Sequence, residues 1–94
     1  MTAIKHIDLE KLDQYIVVPL TRKALGSFDD LRELDGDFGH GVYALWSDDA
    51  QTLVAFVFDD VTWKREDALA WVQDAKANGA KALTASGATL VFRW

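Results

Sequence analysis

Several residue types are rare in this chain, and each shortage excludes a class of protein. There is no cysteine among the 94 residues, which excludes disulfides and thiolate metal sites together and fits a reducing compartment. The first residues lack the basic-then-apolar pattern of a signal peptide. No apolar run approaches the roughly 20 residues that a membrane-spanning helix needs. These shortages predict a soluble, cytoplasmic protein that does not enter a membrane.

Side chains that carry catalysis are equally scarce. His6 and His40 are the only histidines, and no serine stands in the G-x-S-x-G pattern of a nucleophile elbow. Adjacent aspartates occur three times, but neighbours in sequence often point in different directions and make poor acid–base pairs. We therefore predict that the protein is not an enzyme, has no catalytic residue and uses no cofactor.

Metal and nucleic-acid sites are also disfavoured by the pattern of residues. Asp35, Asp37 and His40 share a glycine-rich loop, but the residues between them break the alternation of oxygen ligands that a calcium loop requires. Basic and aromatic residues mix only at Trp63-Lys64-Arg65, which is too short to form a platform for bases. The prediction is no metal and no nucleic acid.

The chain is rich in hydrophobic residues, which make up 50% of it, and it is predicted to form one domain over residues 1–94. Its central feature is the apolar run Leu53–Phe58, which reads as a buried strand and stops at Asp59-Asp60. An amphipathic helix then runs from Trp63 to Lys76. Its apolar stripe is spaced i, i+3, i+4 and i+7 and consists of Ala68, Trp71, Val72 and Ala75. We expect Trp71 to press onto the strand.

The remaining segments predict further strands around this unit. Tyr15–Leu20 reads as an edge strand because Pro19 lacks an N–H group. Gly41–Trp46 reads as a strand that forms a hairpin with Leu53–Phe58, its residues 42, 44 and 46 facing one way and 43 and 45 the other. Asn78-Gly79 predicts the end of the helix, and a final hairpin joins residues 81–84 to 88–94.

One stretch leaves two alternatives open. Ser27 is placed to cap a short helix carrying Phe28, Leu31 and Leu34, with Asp30 three residues further on. The same residues fit an irregular strand over Leu31 to Leu34. Either way the order of elements predicts an α+β fold, in which a small antiparallel or mixed sheet of about four to five strands carries one main helix on one face.

Charge is unevenly distributed along the chain. The stretch from Gly26 to Asp60 contains nine acidic residues against Arg32 alone, so it carries −8, while the rest carries +3 and the whole chain −5. Such a segment repels phosphate backbones and attracts basic proteins. Two adjacent pairs stand out as candidate partner-binding residues: Asp29 with Asp30, and Asp48 with Asp49.

The strand-to-helix corner resembles a known group of sequences. Small uncharacterised proteins of tailed phages and prophages carry the phrase F-D-x-x-x-W-T-x-x-x-A-x-x-W-V, which is matched here by Phe58, Asp59, Trp63, Ala68, Trp71 and Val72. Lys64 replaces the threonine of that phrase, so Thr62 is expected to cap the helix instead. The resemblance implies a phage or mobile-element background and no particular chemistry.

These observations predict a non-enzymatic protein-interaction module, acting through its acidic residues or through an exposed strand edge. An exposed edge also predicts self-association, for which a symmetric dimer is the commonest form. The alternative is a small-molecule-binding domain with an aromatic pocket between helix and sheet, lined by Trp46, Trp63 or Trp94.

Overall fold

The computed structural model describes residues 7–94, so His6 lies outside the described residues. Within that range the chain forms six strands, one α-helix and two short 3-10 helices. The strands are Tyr15–Pro19 (β1), Leu31–Glu33 (β2), Val42–Ser47 (β3), Thr52–Asp59 (β4), Ala80–Leu83 (β5) and Thr89–Phe92 (β6). The α-helix is Arg65–Asn78 (α1), and the 3-10 helices are Leu9–Gln14 and Leu25–Ser27. The predicted α+β class is confirmed.

Four strands form an antiparallel sheet in the order β1-β4-β3-β2. The expected hairpin is the β3–β4 pair, and β1 lies at one edge with Pro19 at its end. The last hairpin does not join this sheet: β5 and β6 form a two-stranded sheet of their own. A bridge between Asp37 and Leu83 connects the glycine-rich loop to β5.

Strand β4 is buried on both faces, which explains why its sequence is almost continuously apolar. Phe56 and Phe58 face a core formed with α1 and the β5–β6 hairpin. Ala55 and Val57 face a second core on the opposite side of the sheet. A β-bulge interrupts the alternation, because Leu45 pairs with residue 55 but the next residue of β3 pairs with residue 53.

The helix packs through the predicted stripe. Ala68, Val72 and Ala75 are buried, and the ring of Trp71 meets Phe56 and Phe58 edge-on, with centroids 4.9 and 5.6 Å apart. These contacts confirm the strand-to-helix corner as the centre of the larger core. Among the described residues no helix is long and apolar enough to cross a membrane.

The two ends of the helix compare differently with prediction. It stops at Asn78 as expected, and Gly79 follows with φ of +88°, its N–H donating to the Ala75 carbonyl at 2.6 Å. The expected cap was wrong, because the helix begins after Lys64, which makes no capping bond through its side chain. Thr62 instead donates to the Asp59 carboxylate at 3.3 Å, which holds it in the turn that precedes the helix.

The ambiguous stretch after Ser27 is a strand, and the helix alternative was wrong. Ser27 ends a 3-10 helix and donates its hydroxyl to the Ala24 carbonyl at 2.6 Å. Strand β2 then pairs with β3, with Leu31 opposite Ser47. This pairing uses backbone groups that a helix would have needed for its own hydrogen bonds, and it requires a partner that is distant in sequence.

Candidate partner-binding surface

The four candidate aspartates meet at one end of the main sheet. Asp29 and Asp30 immediately precede β2, and Asp48 and Asp49 lie in the turn between β3 and β4. Pairing of β2 with β3 brings the two segments together. They line a shallow concavity of about 510 Å³, which we call the acidic concavity. Its lining residues are Lys23, Ser27, Phe28, Asp29, Asp30, Asp48 and Asp49.

A buried hydroxyl holds this end of the sheet together. Ser47 is fully buried, and its hydroxyl donates to Asp30 Oδ1 at 2.9 Å and accepts from the Ala50 N–H at 3.1 Å. The other Asp30 oxygen accepts the Asp49 N–H. That backbone bond, aided by the Ser47 hydroxyl, lowers the pKa of Asp30 despite some desolvation. Asp30 therefore joins the two segments and is committed to contacts within the chain.

Asp48 is also engaged, though at the surface. It forms an ion pair with Arg32, whose Nε lies 2.8 Å from Asp48 Oδ2, and both side chains are about half exposed, at 52% and 50%. The bond to Asp48 raises the pKa of Arg32. Exposed ion pairs of this kind contribute little to stability, so a cationic group of a partner can replace Arg32 at little loss.

The remaining two carboxylates, of Asp29 and Asp49, are exposed and have no partner among the described residues. Within residues 7–94, neither Asp29 nor Asp49 uses its carboxylate in a hydrogen bond or ion pair. Beside them Lys23 Nζ lies 4.5 Å from the centre of the Phe28 ring, a cation–π contact. Four carboxylates against Lys23 and Arg32 leave the acidic concavity with two net negative charges.

Sequence reasoning missed several residues that shape this surface. Arg32 was noted as the only base of its segment but not as a partner for Asp48. Ser47 carried a usable signal, since a serine that opens a turn often binds a backbone N–H three residues on. The contact between Lys23 and Phe28 had no local signal, because the two residues lie on either side of a 3-10 helix with four residues between them.

The acidic middle segment does not form one continuous face. Asp59 ends β4 at the opposite end of the sheet from the acidic concavity. Asp37 lies beside β5, and its carboxylate accepts the N–H of Gly39 at 2.9 Å. The charge of −8 is thus divided among separate places, and the four candidate aspartates share one concave surface.

The residues considered for chemistry have structural explanations. The exposed His40 is linked to Trp63, whose indole N–H donates to the His40 carbonyl at 2.8 Å. Tyr43 was not among those residues; burial, and then the charge of Asp59, raise the pKa of its phenol. Within residues 7–94, no three histidine or acidic side chains are grouped so that they could hold a metal ion.

The tryptophans of the expected aromatic pocket pack against phenylalanines. Ring centroids are 6.4 Å apart for Trp46 and Phe92, 5.0 Å for Trp63 and Phe58, and 5.3 Å for Trp94 and Phe56. A separate hollow of about 390 Å³ lies between α1 and β5, where Phe38 and Trp71 form part of its lining. The small-molecule alternative remains a prediction.

Comparison with known proteins adds nothing to the interpretation of this surface. Searches against protein-family models, curated proteins and solved structures found no match for the chain. The resemblance of the corner to phage proteins accordingly stays a prediction. Each matched residue has a role in packing or in the turn, as shown by the contacts of Trp63 and Trp71 with Phe58.

Proposed function

We propose that this protein is a non-enzymatic interaction module whose acidic concavity binds a basic segment of a partner protein. The observation that carries the proposal is the convergence of Asp29 and Asp30 with Asp48 and Asp49 on one surface. The two pairs are nearly twenty residues apart in sequence. The β2–β3 pairing brings them together, and the hydrogen bonds of Asp30 hold them there. The surface is therefore preorganised, which lowers the entropy lost on binding.

The arrangement suits a lysine or arginine side chain. Exposed carboxylates at Asp29 and Asp49 are available to a cation without breaking any bond inside the chain. Phe28 is part-buried and already holds one ammonium group over its ring, so an incoming arginine or lysine can take the place of Lys23 there. Arg32 can be displaced from Asp48 in the same way because that ion pair is exposed.

Three further features belong to the same proposal. A phage or mobile-element background follows from the corner motif alone, and a cytoplasmic location from the absence of cysteine. Self-association along an open strand edge is the third. Sedimentation at high micromolar concentration measures whether the protein forms a dimer.

A matched pair of double variants tests the acidic concavity. The first changes Asp29 and Asp49 to Asn, and leaves in place the bonds made by Asp30. The control changes Glu10→Gln and Asp13→Asn, two exposed residues that precede β1 at the opposite end of the sheet. Both variants remove two negative charges, so a difference between them reports position rather than net charge.

The probe is a fluorescent arginine-rich peptide followed by anisotropy at increasing salt. We expect the Asp29/Asp49 variant to bind about tenfold more weakly, which corresponds to about 1.4 kcal/mol. The affinity of the control variant should differ from that of the parent by less than about threefold. The affinity of the parent should fall steeply as salt is added, because its charges are screened over about 8–10 Å. Equal losses in the two variants would mean that only overall charge attracts the peptide, and the proposal would fail.

A further inference from the structure

The β5–β6 hairpin has one strand edge covered and one open. On the β5 side, Asp37 and Leu83 exchange two backbone hydrogen bonds, with N···O distances of 2.8 and 2.9 Å. On the other side, β6 pairs with β5 and with no other strand of the described residues. The outer edge of β6 is therefore free to accept another strand.

The hydrogen-bond pattern identifies which groups face outward from that edge. The Thr84 N–H donates to the Ala88 carbonyl at 2.8 Å, so residues 84 and 88 form a hydrogen-bonded pair. Such pairs alternate along an antiparallel ladder. Thr89 and Val91 consequently direct their N–H and C=O groups away from β5. Leu83, which is opposite Thr89 in the ladder, fits this alternation, because its N–H and C=O groups point away from β6 and bond to Asp37.

Edges elsewhere in the molecule carry protection that β6 lacks. Strand β1 ends in Pro19, and β2 has only three residues, two of them charged. Strand β6, with the sequence TLVF, has neither a proline nor a charge. Its Leu90 and Val91 side chains are 47% and 50% exposed. An apolar edge without protection is the kind that proteins use for strand addition.

Charge around this edge is positive. Lys81 is paired with Val91 in the ladder and shares its face of the hairpin. The Arg93 side chain lies close to that of Val91, because both approach the same point beside Gly79. A β-carbon placed on Gly79 would be 2.5 Å from Val91 Cγ1 and 3.5 Å from Arg93 Cζ. Within residues 7–94, Lys81 and Arg93 have no ion-pair partner, and residues 79–94 contain no acidic side chain.

We propose that the outer edge of β6 binds an extended, acidic segment of a partner protein as a third strand of this hairpin sheet. The backbone groups of Thr89 and Val91 supply its hydrogen bonds. An apolar side chain of the segment covers Val91, and a carboxylate on the same face reaches Arg93. This surface is separate from the acidic concavity, and its partner has the opposite charge.

A second copy of this chain fits the edge less well. Pairing two β6 edges would bring no carboxylate to Arg93, because residues 79–94 have no acidic side chain to offer. An acidic segment of another protein can bring a carboxylate towards Arg93 while it satisfies the same backbone groups. Charge complementarity therefore favours the acidic segment.

The experiment uses two short synthetic peptides on the full chain: one repeats Val-Thr-Glu-Thr, which places valine and glutamate on the same face of an extended strand, and the other has glutamine in place of glutamate. Anisotropy at fixed salt should show the acidic peptide binding at least about tenfold more tightly. Val91→Pro removes an outward N–H group without removing a hydrogen bond to β5 and should abolish binding, whereas Val91→Thr keeps that group and should bind within about threefold of the parent. Circular dichroism checks that both variants are folded.

Arg93→Glu tests the charge without touching the backbone. We expect this variant to lose the acidic peptide and to bind the glutamine peptide no more weakly than the parent does. Equal binding of both peptides by the parent, or no binding of either, would overturn the proposal. So would sedimentation showing a dimer that Val91→Pro dissociates while the acidic peptide fails to bind, since the edge would then belong to a second copy.

Discussion

Replacing Trp71 by alanine tests the central packing of the molecule. The indole lies between α1 and the sheet, and its ring is edge-on to Phe56 and Phe58 at 4.9 and 5.6 Å. Both phenylalanines are fully buried, so they lose a neighbour that shields them from water. Trp71 itself is part-buried, and its removal opens the core to solvent instead of leaving a sealed cavity.

The magnitude follows from area and ring contacts. A tryptophan that buries about 150 Å² contributes about 4 kcal/mol at roughly 25 cal/mol per Å². Each edge-to-face pair adds about 0.5–1.5 kcal/mol beyond the area. Partial exposure reduces the sum, and alanine is the better helix former by about 0.5 kcal/mol. We therefore expect a loss of about 4 kcal/mol, within the range for tryptophan-to-alanine changes in cores.

Thermal and urea unfolding measure this loss. In a domain of this size about 1 kcal/mol shifts the Tm by roughly 4–8 °C, so Trp71→Ala should melt about 16–32 °C below the parent. The control is Leu69→Ala on the same helix, where the side chain is 41% exposed and the expected loss is below about 1 kcal/mol. If Trp71→Ala melts within a few degrees of the parent, or no lower than the control, the corner is not the centre of the core.

Two other substitutions, each with a control, give further predictions. Gly79→Ala would place a β-carbon 2.5 Å from Val91 Cγ1 at a φ of +88°, and should lower stability by about 1–3 kcal/mol in a thermal melt. Gly26→Ala, with no atom within 4 Å of the new carbon, should be neutral within about 1 kcal/mol, and equal losses would contradict this reasoning. Because the pKa of Asp30 is lower in the folded protein, its carboxylate stabilises the fold above about pH 4, and this contribution disappears as pH falls through the lowered folded value. Asp30→Asn should therefore lower the Tm at pH 7 and approach the parent as the pH falls through the lowered folded pKa, with Asp29→Asn at pH 7 as the control for loss of a neighbouring charge; a gap for Asp30→Asn that is constant with pH would refute the assignment.

Local patterns were sufficient to predict the elements that depend on neighbours in sequence. The stripe around Trp71 gave the helix and its packing face, and the alternation of Val42 to Trp46 gave the two faces of β3. Pro19 correctly indicated an edge strand. In each case the residues that decide the structure lie within a few positions of one another.

Features that depend on distant residues could not be predicted. Residues 31–33 became a strand because β3 lies beside them, and the carboxylate of Asp30 became a tie to Ser47 rather than a partner of Ser27. Separation of the last hairpin from the main sheet likewise has no local signal. The candidate aspartates were chosen for charge alone, so their meeting in one concavity also depended on the β2–β3 pairing.

Because β4 forms a wall of both cores, the two layers on either side of the sheet are expected to unfold together. Opening either layer would expose one face of β4 to water while the other face remained buried, and the strand could not leave its neighbours β1 and β3 without disrupting both. Amide hydrogen exchange should therefore be slowest along β4 and should proceed there only through global unfolding. The β6 amides, which depend on a single partner strand, should exchange through smaller local openings. A partner strand added at the outer edge of β6 would slow the hydrogen exchange of the β6 amides that now face solvent.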